Sequence, residues 1–330
     1  MMLLDVRDLS LRIGTVGLLD GLSFSVDRGE VLGLVGESGS GKSLTALALT
    51  GLTGRMGATI TGGSVVFDGT DLVGLKESAY RRLRGKRIGF ITQNPMSALD
   101  ALVTIGDQVD QVSRLHLGLS KRAARAHTVE ILSRLRIPEA EVVARAYPHN
   151  LSGGMKQRVV IAMALAADPD LIIADEPTTA LDVTVQAQIV MMLADLVRKR
   201  DLGLILITHD MSVVAQICDK VCVLYAGRVA ESGPVRQMFA APRHPYTEAL
   251  IGCIPRDGMA PGSLRGIPGT VAAVSQYGAD CCRFAPRCGR ADALCRTQQP
   301  LPAITGTGGM LACHHPVDRP VKEAADADAR

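Results

Sequence analysis

The chain has 330 residues and a formal net charge of +3, with 47% hydrophobic and 21% charged residues. This length allows a large core and more than one domain, and the small net charge gives no reason to expect nucleic acid as a partner. No apolar run is long enough to span a bilayer, and the N-terminus lacks the pattern of a signal peptide. We therefore expect a cytosolic protein whose eight cysteines are reduced thiols or metal ligands.

Short strands around one glycine-rich loop are predicted for the first ninety residues. Residues 3–11 and 21–26 alternate as half-buried strands do, and residues 31–35 form the continuous apolar run of a fully buried strand. After the glycine-rich loop, the predicted elements are a helix to about residue 50, a loop at 51–63, and strands at 64–67 and 87–91.

The glycine-rich loop has the composition of a phosphate-binding site. Two glycines, a lysine and a hydroxyl residue stand at the required spacing, between an apolar strand and a helix. Glycines let backbone N–H groups turn toward a polyphosphate, the lysine reaches its β- and γ-phosphates, and the serine binds Mg²⁺. The residues predicted to bind here are Gly36, Glu37, Ser38, Gly39, Ser40, Gly41, Lys42, Ser43 and Leu44.

The pattern changes after residue 97. Apolar residues recur at helical spacing over 105–117 and 122–135, which predicts an inserted helical subdomain over about 97–158. Strands then alternate with helices, which favours an α/β fold with a mostly parallel sheet. The later predicted elements are helices at 159–167 and 183–199 and strands at 171–176, 204–207, 221–225 and 228–231.

An acidic pair ends the predicted strand at 171–176. Asp175 is placed to support Mg²⁺, directly or through water, and Glu176 to polarise an attacking water as general base. The alternative is an acidic pair at the beginning of a helix, before Pro177, with no role in chemistry. The phosphate loop upstream favours the first interpretation.

A second anion-binding terminus is predicted at Ser152, Gly153 and Gly154, where a serine and two glycines begin a helix. The chain therefore has two phosphate-binding surfaces but one lysine loop. Along the chain, the phosphate loop is followed by Gln93, the loop at Ser152, the acidic strand end and His209.

The chain resembles the nucleotide-binding subunits of ABC transporters over about residues 3–235. The resemblance rests on the phosphate loop, the acidic strand end, the signature loop at Ser152, Gln93 in the Q-loop, the D-loop at 179–182 and His209 in the H-loop. It implies a P-loop NTPase fold with a mostly parallel core sheet, an antiparallel β subdomain and the inserted helical subdomain.

The resemblance also implies a role for each matching residue. Glu176 activates water, His209 contacts the γ-phosphate, and Gln93 senses Mg²⁺ and the γ-phosphate and couples them to a membrane subunit. The signature loop closes over the ATP held by a partner subunit. The implied Mg²⁺ ligands are Ser43, Gln93 and Asp175, and the implied nucleotide-site residues beyond the phosphate loop are Gln93, Asp175, Ser152, Gly153, Gly154 and Asp182.

One departure concerns the adenine base. The family carries an aromatic residue upstream of the phosphate loop that stacks on adenine, and between Asp5 and Ser23 this chain has only Ile13, Val16 and other non-aromatic residues. We expect Ile13 or Val16 to pack against the base. Because stacking contributes about 1 kcal/mol beyond burial, ATP binding should persist, weaker or less selective for the base.

A separate, loop-rich C-terminal extension is predicted over residues 236–330, after a nucleotide-binding domain over 1–235. Segments 242–247, 267–269 and 282–288 resemble those of the oligopeptide, dipeptide and nickel importer subfamily. Four thiols in the extension suit a [4Fe–4S] cluster, with zinc or plain reduced cysteines as alternatives and Cys281 as a spare ligand. The four thiols are Cys282, Cys288, Cys295 and Cys313.

The subfamily resemblance implies an ATPase subunit that drives import of oligopeptides, dipeptides or a related small solute. The implied partners are a second, paralogous ATPase subunit, two membrane permease subunits and an extracytoplasmic solute-binding protein, at the cytoplasmic face of the inner membrane. The alternatives are a nickel or opine importer, a soluble ABC ATPase without a transport role, and a subunit that binds ATP without hydrolysing it. Intact Glu176 and His209 disfavour the last.

Overall fold

The computed structural model describes residues 1–178, 181–255, 258–260, 262, 266–278, 280–306 and 308–318. The strands are β1 (Met2–Ile13), β2 (Val16–Asp27), β3 (Val31–Val35), β4 (Ala58–Phe67), β5 (Thr70–Asp71), β6 (Ile88–Ile91), β7 (Leu171–Asp175), β8 (Gly203–Thr208), β9 (Lys220–Tyr225), β10 (Arg228–Pro234), β11 (Ala303–Ile304) and β12 (Met310–Leu311). The α-helices are α1 (Lys42–Leu49), α2 (Glu77–Leu83), α3 (Pro95–Ala98), α4 (Ile105–Leu117), α5 (Lys121–Arg134), α6 (Ala140–Arg145), α7 (Gly153–Leu165), α8 (Val183–Arg200), α9 (Met211–Ile217), α10 (Val235–Ala240), α11 (Pro245–Gly252) and α12 (Ala293–Thr297).

The larger sheet has the strand order β11-β12-β10-β9-β3-β8-β7-β6 within the described residues. Strands β9, β3, β8, β7 and β6 run parallel to one another, and β10, β12 and β11 add antiparallel neighbours. A smaller antiparallel sheet has the order β2-β1-β4-β5. The predicted α/β class, with a mostly parallel core sheet and an antiparallel β subdomain, is confirmed.

Strand β3 lies in the middle of the larger sheet and is buried along its whole length. Its side chains alternate between two hydrophobic cores. Val31 and Val35 pack on the face covered by α7, α8 and α9, while Leu32 and Leu34 pack toward α1 and the small sheet. Because both faces are covered, the strand is apolar throughout, as the sequence pattern predicted.

The helical insertion is built from α4, α5 and α6, which pack against one another, and α4 and α5 also pack against α7. The side chain of Thr104 caps α4 by accepting from the Asp107 N–H at 3.3 Å, and Ser120 caps α5 in the same way at 3.3 Å from the Ala123 N–H. Gly118 ends α4 with a φ of 67°, a conformation that favours glycine. These signals place the helices where the sequence predicted them.

Residues 51–63 are a loop only in their first half, so the predicted loop was too long. Strand β4 begins at Ala58, which pairs with Ile13 of β1. The pairing is interrupted near Gly63, whose φ is 84° and where a Cβ would lie 2.4 Å from the Arg7 carbonyl oxygen. Pairing with β1 therefore overrides a local composition of glycine and threonine that is typical of loops.

The C-terminal extension contributes strands to the larger sheet. Strand β12 pairs with β10 through Glu231 and Ser232, and the Ala312 N–H donates to the Ala230 carbonyl oxygen at 2.9 Å. Tyr246, in α11, is fully buried in the main core. Among the described residues, no helix has both the length and the apolar character needed to cross a membrane.

Candidate functional site

The phosphate loop connects the end of β3 to the beginning of α1, as predicted. Gly36 has a φ of 150°, and a Cβ there would lie 2.2 Å from the backbone carbonyl oxygen of Leu224. Gly41 has a φ of 103°, and a Cβ there would lie 2.6 Å from the Leu19 side chain. The loop therefore passes too close to β9 and β2 for a larger residue at either position.

Lys42 is 5% exposed, and its ammonium group lies within the loop. It donates to the carbonyl oxygens of Gly36 at 2.7 Å and Glu37 at 2.9 Å. Burial lowers the pKa of Lys42, and the carboxylates of Glu176, Asp175 and Glu37 oppose that shift. A polyphosphate would offer this buried cation oxygens of higher charge than the two carbonyls.

The other loop residues differ in exposure. Ser38, Gly39 and Ser43 are exposed, Ser40 is buried, and Leu44 is half-buried in the first turn of α1. Exposed backbone at the N-terminus of α1 is available to an anion, as the prediction requires.

Asp175 and Ser43 come together across β7 and α1. The Ser43 hydroxyl donates to Asp175 Oδ1 at 3.1 Å. Burial is the main cause that raises the pKa of Asp175, with Glu176 adding to it and the Ser43 hydrogen bond and Lys42 opposing it. A hard cation bound beside these oxygens would relieve the cost of the buried carboxylate, so the pair fits a Mg²⁺ ion.

Glu176 follows β7 and has a φ of 44°, uncommon for a residue with a side chain. Its carboxylate accepts from Gln93 Nε2 at 3.0 Å and lies 3.4 Å from His209 Nδ1. Gln93 follows β6 and His209 follows β8. Three strand ends thus bring Gln93, Glu176 and His209 together at the edge of the sheet that carries the phosphate loop.

The signature loop and the D-loop form a second group, at the beginnings of α7 and α8. Ser152 is exposed and caps α7 by accepting from the Met155 N–H at 3.3 Å. A Cβ at Gly154 would lie 2.9 Å from Val185 Cγ1, so this glycine lets α7 approach α8. Asp182 is exposed and caps α8 by accepting from the Val185 N–H at 2.9 Å.

The remaining predicted site residues lie in the signature loop, the D-loop and the β1–β2 hairpin. Gly153 is exposed beside Ser152, and Thr179 and Ala180 of the D-loop lie outside the described residues. Ile13 ends β1 and is 37% exposed, and Val16 begins β2 and is half-buried. Both side chains lie in the hairpin upstream of the phosphate loop, where the adenine contact was predicted.

One contact, between the phosphate loop and the C-terminal extension, was not predicted from the sequence. Arg287 forms a bidentate ion pair with Glu37, and the Glu37 N–H donates to the Tyr246 hydroxyl at 2.9 Å. Arg287 and Glu37 are 250 positions apart. The order and spacing of the motifs carry no information about a contact over this separation.

The four predicted cysteine ligands line one cavity in the extension. Cys282, Cys288, Cys295 and Cys313 surround it, with Phe284 on its wall. Burial raises the pKa of Cys282 and Cys295, and raises that of Cys313 to about 11. Bare thiolates are therefore costly in this cavity, and a positively charged metal centre would stabilise them.

An overlapping group of side chains, which includes Cys295, brings three possible metal ligands close together. Among the described residues, the possible ligand atoms of Asp292, Cys295 and His315 all lie within 4.8 Å of one another. This proximity has a structural reason, because Asp292 caps α12 by accepting from the Cys295 N–H at 3.0 Å and pairs with His315 at 3.0 Å. The four thiols do not form a group this tight, and they are instead spread around the wall of the cavity.

Comparison with known proteins decides the family. The family model described as ABC transporter matches residues 19–179, and the model described as oligopeptide/dipeptide transporter, C-terminal region, matches residues 230–295. The chain is 44% identical to the oligopeptide transport ATP-binding protein OppD of Salmonella typhimurium, over 96% of this chain and 94% of that protein. The chain belongs to the oligopeptide/dipeptide family of ABC transporter ATP-binding subunits.

Other members of this family and solved ABC cassettes agree. The dipeptide transport ATP-binding protein DppD of Escherichia coli is 42% identical over 96% of this chain and 98% of that protein. The cassette MJ0796, solved as a dimer in a post-hydrolysis state bound to ADP and Pi, is 27% identical, with a TM-score of 0.63 over 71% of this chain and 99% of that chain. The structure of cbiO1 from Clostridium perfringens is 28% identical, with a TM-score of 0.64 over 72% of this chain and 91% of that chain.

Proposed function

We propose that the chain hydrolyses ATP to drive import of short peptides through separate membrane subunits. The observation that carries the proposal is the convergence of Lys42, Asp175 and Glu176 with Gln93 and His209 beside one phosphate loop. The names of the relatives, which are oligopeptide and dipeptide transport proteins, support peptides as the solute. We assign the nucleotide-binding domain to residues 1–235, with its helical subdomain at about 97–158, and the extension to 236–330.

Each residue of the converging group has a chemical task. The loop from Gly36 to Ser43 and the first turn of α1 bind the phosphates, and Lys42 compensates their negative charge. Ser43, Asp175 and Gln93 would hold Mg²⁺, and the ion would supply positive charge beside the phosphates. Glu176 accepts the proton of the attacking water, and His209, 3.4 Å from Glu176, orients that carboxylate and contacts the γ-phosphate.

A Glu176→Gln variant tests this assignment. A glutamine keeps the size of the side chain but cannot accept the proton, so ATPase turnover should fall at least about a hundredfold. Binding of ATP, measured by calorimetry on the full chain, should persist. Glu141→Gln, an exposed change on α6, is the matched control and should hydrolyse ATP at the normal rate.

Two outcomes would contradict the assignment. The first is turnover in Glu176→Gln at more than half the normal rate, which would remove the general base. The second is unchanged ATP affinity in Lys42→Ala, which would remove the nucleotide site from this loop.

We propose that two ATPase subunits share each nucleotide. Ser152, Gly153, Gly154 and Asp182 are exposed or half-buried at helix N-termini and have no lysine loop of their own, so they suit an ATP bound to the partner. The dimeric state of the similar cassette MJ0796 supports this arrangement. The partner is proposed to be a paralogue.

Mass spectrometry of the membrane complex tests the composition of the dimer. A complex with one copy of this chain and one related ATPase is the expected result, and two copies of this chain would contradict the heterodimer. A cysteine placed at Ser152 should crosslink to an ATP analogue bound to the partner if the two subunits share the site. Two independent sites would give no such crosslink.

We propose that the chain binds two membrane permeases at the cytoplasmic face of the inner membrane, in a transporter that also uses an extracytoplasmic solute-binding protein. Two large apolar side chains are exposed shortly after Gln93, namely Met96 at 61% and Leu102 at 87%. They offer an exposed apolar surface close in sequence to the Q-loop. Met96→Asp should reduce co-purification with the permeases and leave ATP affinity unchanged, whereas normal co-purification would place the contact elsewhere.

We also propose that Cys282, Cys288, Cys295 and Cys313 bind a [4Fe–4S] cluster. The common cavity and the raised pKa values of Cys282, Cys295 and Cys313 support it. A bound cluster would crosslink loop segments of the extension and neutralise the thiolates. Iron and acid-labile sulfide should each reach about four per chain after anaerobic purification, and Cys288→Ser should lose most of both. Stoichiometric zinc without sulfide would favour a zinc site instead.

A further inference from the structure

Within the described residues, the extension hydrogen-bonds to the phosphate loop at Glu37, through both the backbone and the carboxylate of that residue. Arg287 Nη1 donates to Oε2 at 2.6 Å and Nη2 donates to Oε1 at 3.0 Å, so the guanidinium forms a bidentate pair with the carboxylate. The Glu37 N–H donates to the Tyr246 hydroxyl at 2.9 Å. The backbone and the side chain of Glu37 are therefore both fixed by residues beyond position 236.

Both contacting residues are themselves held in place. The Arg287 side chain is 6% exposed, donates to the Pro268 carbonyl oxygen at 2.7 Å, and lies over the Tyr225 ring at 5.8 Å. Tyr246 is fully buried, with its ring centroid 4.8 Å from that of Tyr225. Both side chains are therefore held by packing and hydrogen bonds, and together they anchor Glu37 to a packed part of the chain.

Glu37 also connects to the lysine of the loop. Its carbonyl oxygen accepts from Lys42 Nζ at 2.9 Å. A shift of Glu37 would therefore move an acceptor of the lysine that meets the phosphates. In addition, the Glu37 carboxylate is a negative charge at the edge of a site for a polyanion.

We propose that Arg287 is a positioning residue for nucleotide binding. It neutralises the Glu37 carboxylate next to the phosphate site and, with Tyr246, fixes the loop in the shape that receives a polyphosphate. An unpaired carboxylate in this position would repel each phosphate group. The inference rests on the proposed nucleotide site, which Lys42→Ala tests independently.

Removal of the guanidinium while keeping the length of the side chain tests the proposal. Arg287→Met in the full chain should weaken MgATP binding about tenfold, because the loop then carries an uncompensated charge in a partly screened environment. The loss should be graded, largest for ATP, smaller for ADP and smallest for AMP, and it should shrink at high salt. Arg296→Met, an exposed arginine on α12, is the matched control and should bind all three normally.

A second change distinguishes a positioning role from damage to the fold. Glu37→Gln in the Arg287→Met background removes the unpaired charge, so MgATP affinity should return to within about threefold of the normal value. Arg287→Lys keeps a positive charge but not the bidentate geometry, so its MgATP affinity should lie between those of the unmodified chain and Arg287→Met.

Three results would overturn the proposal. They are an unchanged ATP affinity in Arg287→Met, an equal loss for ATP and AMP, and no recovery in the double variant while its melting temperature matches that of the control. If Lys42→Ala binds ATP normally, the nucleotide site itself is wrong, and that failure is separate.

Discussion

Replacement of Gly36 by alanine should destabilise the chain through one identifiable overlap. The new Cβ would lie 2.2 Å from the Leu224 carbonyl oxygen and 2.8 Å from Ser40 Oγ. The carbonyl belongs to β9, which pairs with β3 on one side and β10 on the other. Because β9 is paired on both sides and cannot move alone, removing the overlap requires a displacement of about 1 Å in packed backbone.

The magnitude follows from a comparison with Gly39, in the same loop. Gly39 has a φ of 81°, and a Cβ there would meet no atom within 4 Å. Both substitutions put alanine at a positive φ, at a cost of about 1–3 kcal/mol each, and both stiffen the unfolded chain similarly. The overlap at Gly36 adds about 1–3 kcal/mol, so Gly36→Ala should be the less stable variant by that amount.

Urea unfolding of the full chain without nucleotide measures this difference. The chain has no tryptophan, so far-ultraviolet circular dichroism is the suitable signal. Equal stabilities of Gly36→Ala and Gly39→Ala would refute the reasoning, because they would show that the close approach to β9 does not constrain the loop.

Two further predictions concern the metal and the charge network. Ser43→Ala removes the hydroxyl that donates to Asp175, so the Mg²⁺ concentration for half-maximal ATPase activity should rise about tenfold. ATP binding in EDTA should change less. An unaltered Mg²⁺ titration would exclude Ser43 as a ligand. Asp170 accepts from Arg28 at 2.9 Å and Arg87 at 2.6 Å, and these hydrogen bonds outweigh burial and lower its pKa. A carboxyl with a lowered pKa stabilises the fold above its unfolded pKa and loses that contribution as the pH falls through the folded value. Asp170→Asn should therefore cost about 1 kcal/mol at pH 7, and the gap to the unmodified chain should close below about pH 4; a gap independent of pH would contradict this. Asp195→Asn, in an exposed pair with Lys199, should change stability by less than about 0.5 kcal/mol and serves as the control.

The sequence was informative wherever the chemistry depends on local spacing. The phosphate loop and the strand ending in Asp175 carry their own signals, because a buried strand is apolar on both faces and a phosphate loop needs glycine next to lysine. The same is true of α4, whose two ends are marked by Thr104 and Gly118.

Contacts between distant segments could not be predicted in this way. The first half of β4 was predicted to be loop because its glycines and threonines are typical of loops. Its pairing with β1 overrides that local composition. The bond from Arg287 to Glu37 depends on the path of the whole extension. The sequence suggested the four cysteines as a set, and only the structure showed that they line one cavity.

The contact of Arg287 and Tyr246 with Glu37 has a consequence for biosynthesis. Lys42 and its loop leave the ribosome early, but the residues that fix Glu37 emerge more than 200 positions later, since Arg287 is separated from Glu37 by 250 residues. A nascent or truncated chain would therefore carry a complete lysine loop without its final shape. With the positioning role proposed for Arg287, the chain becomes ready for nucleotide only in the last third of translation.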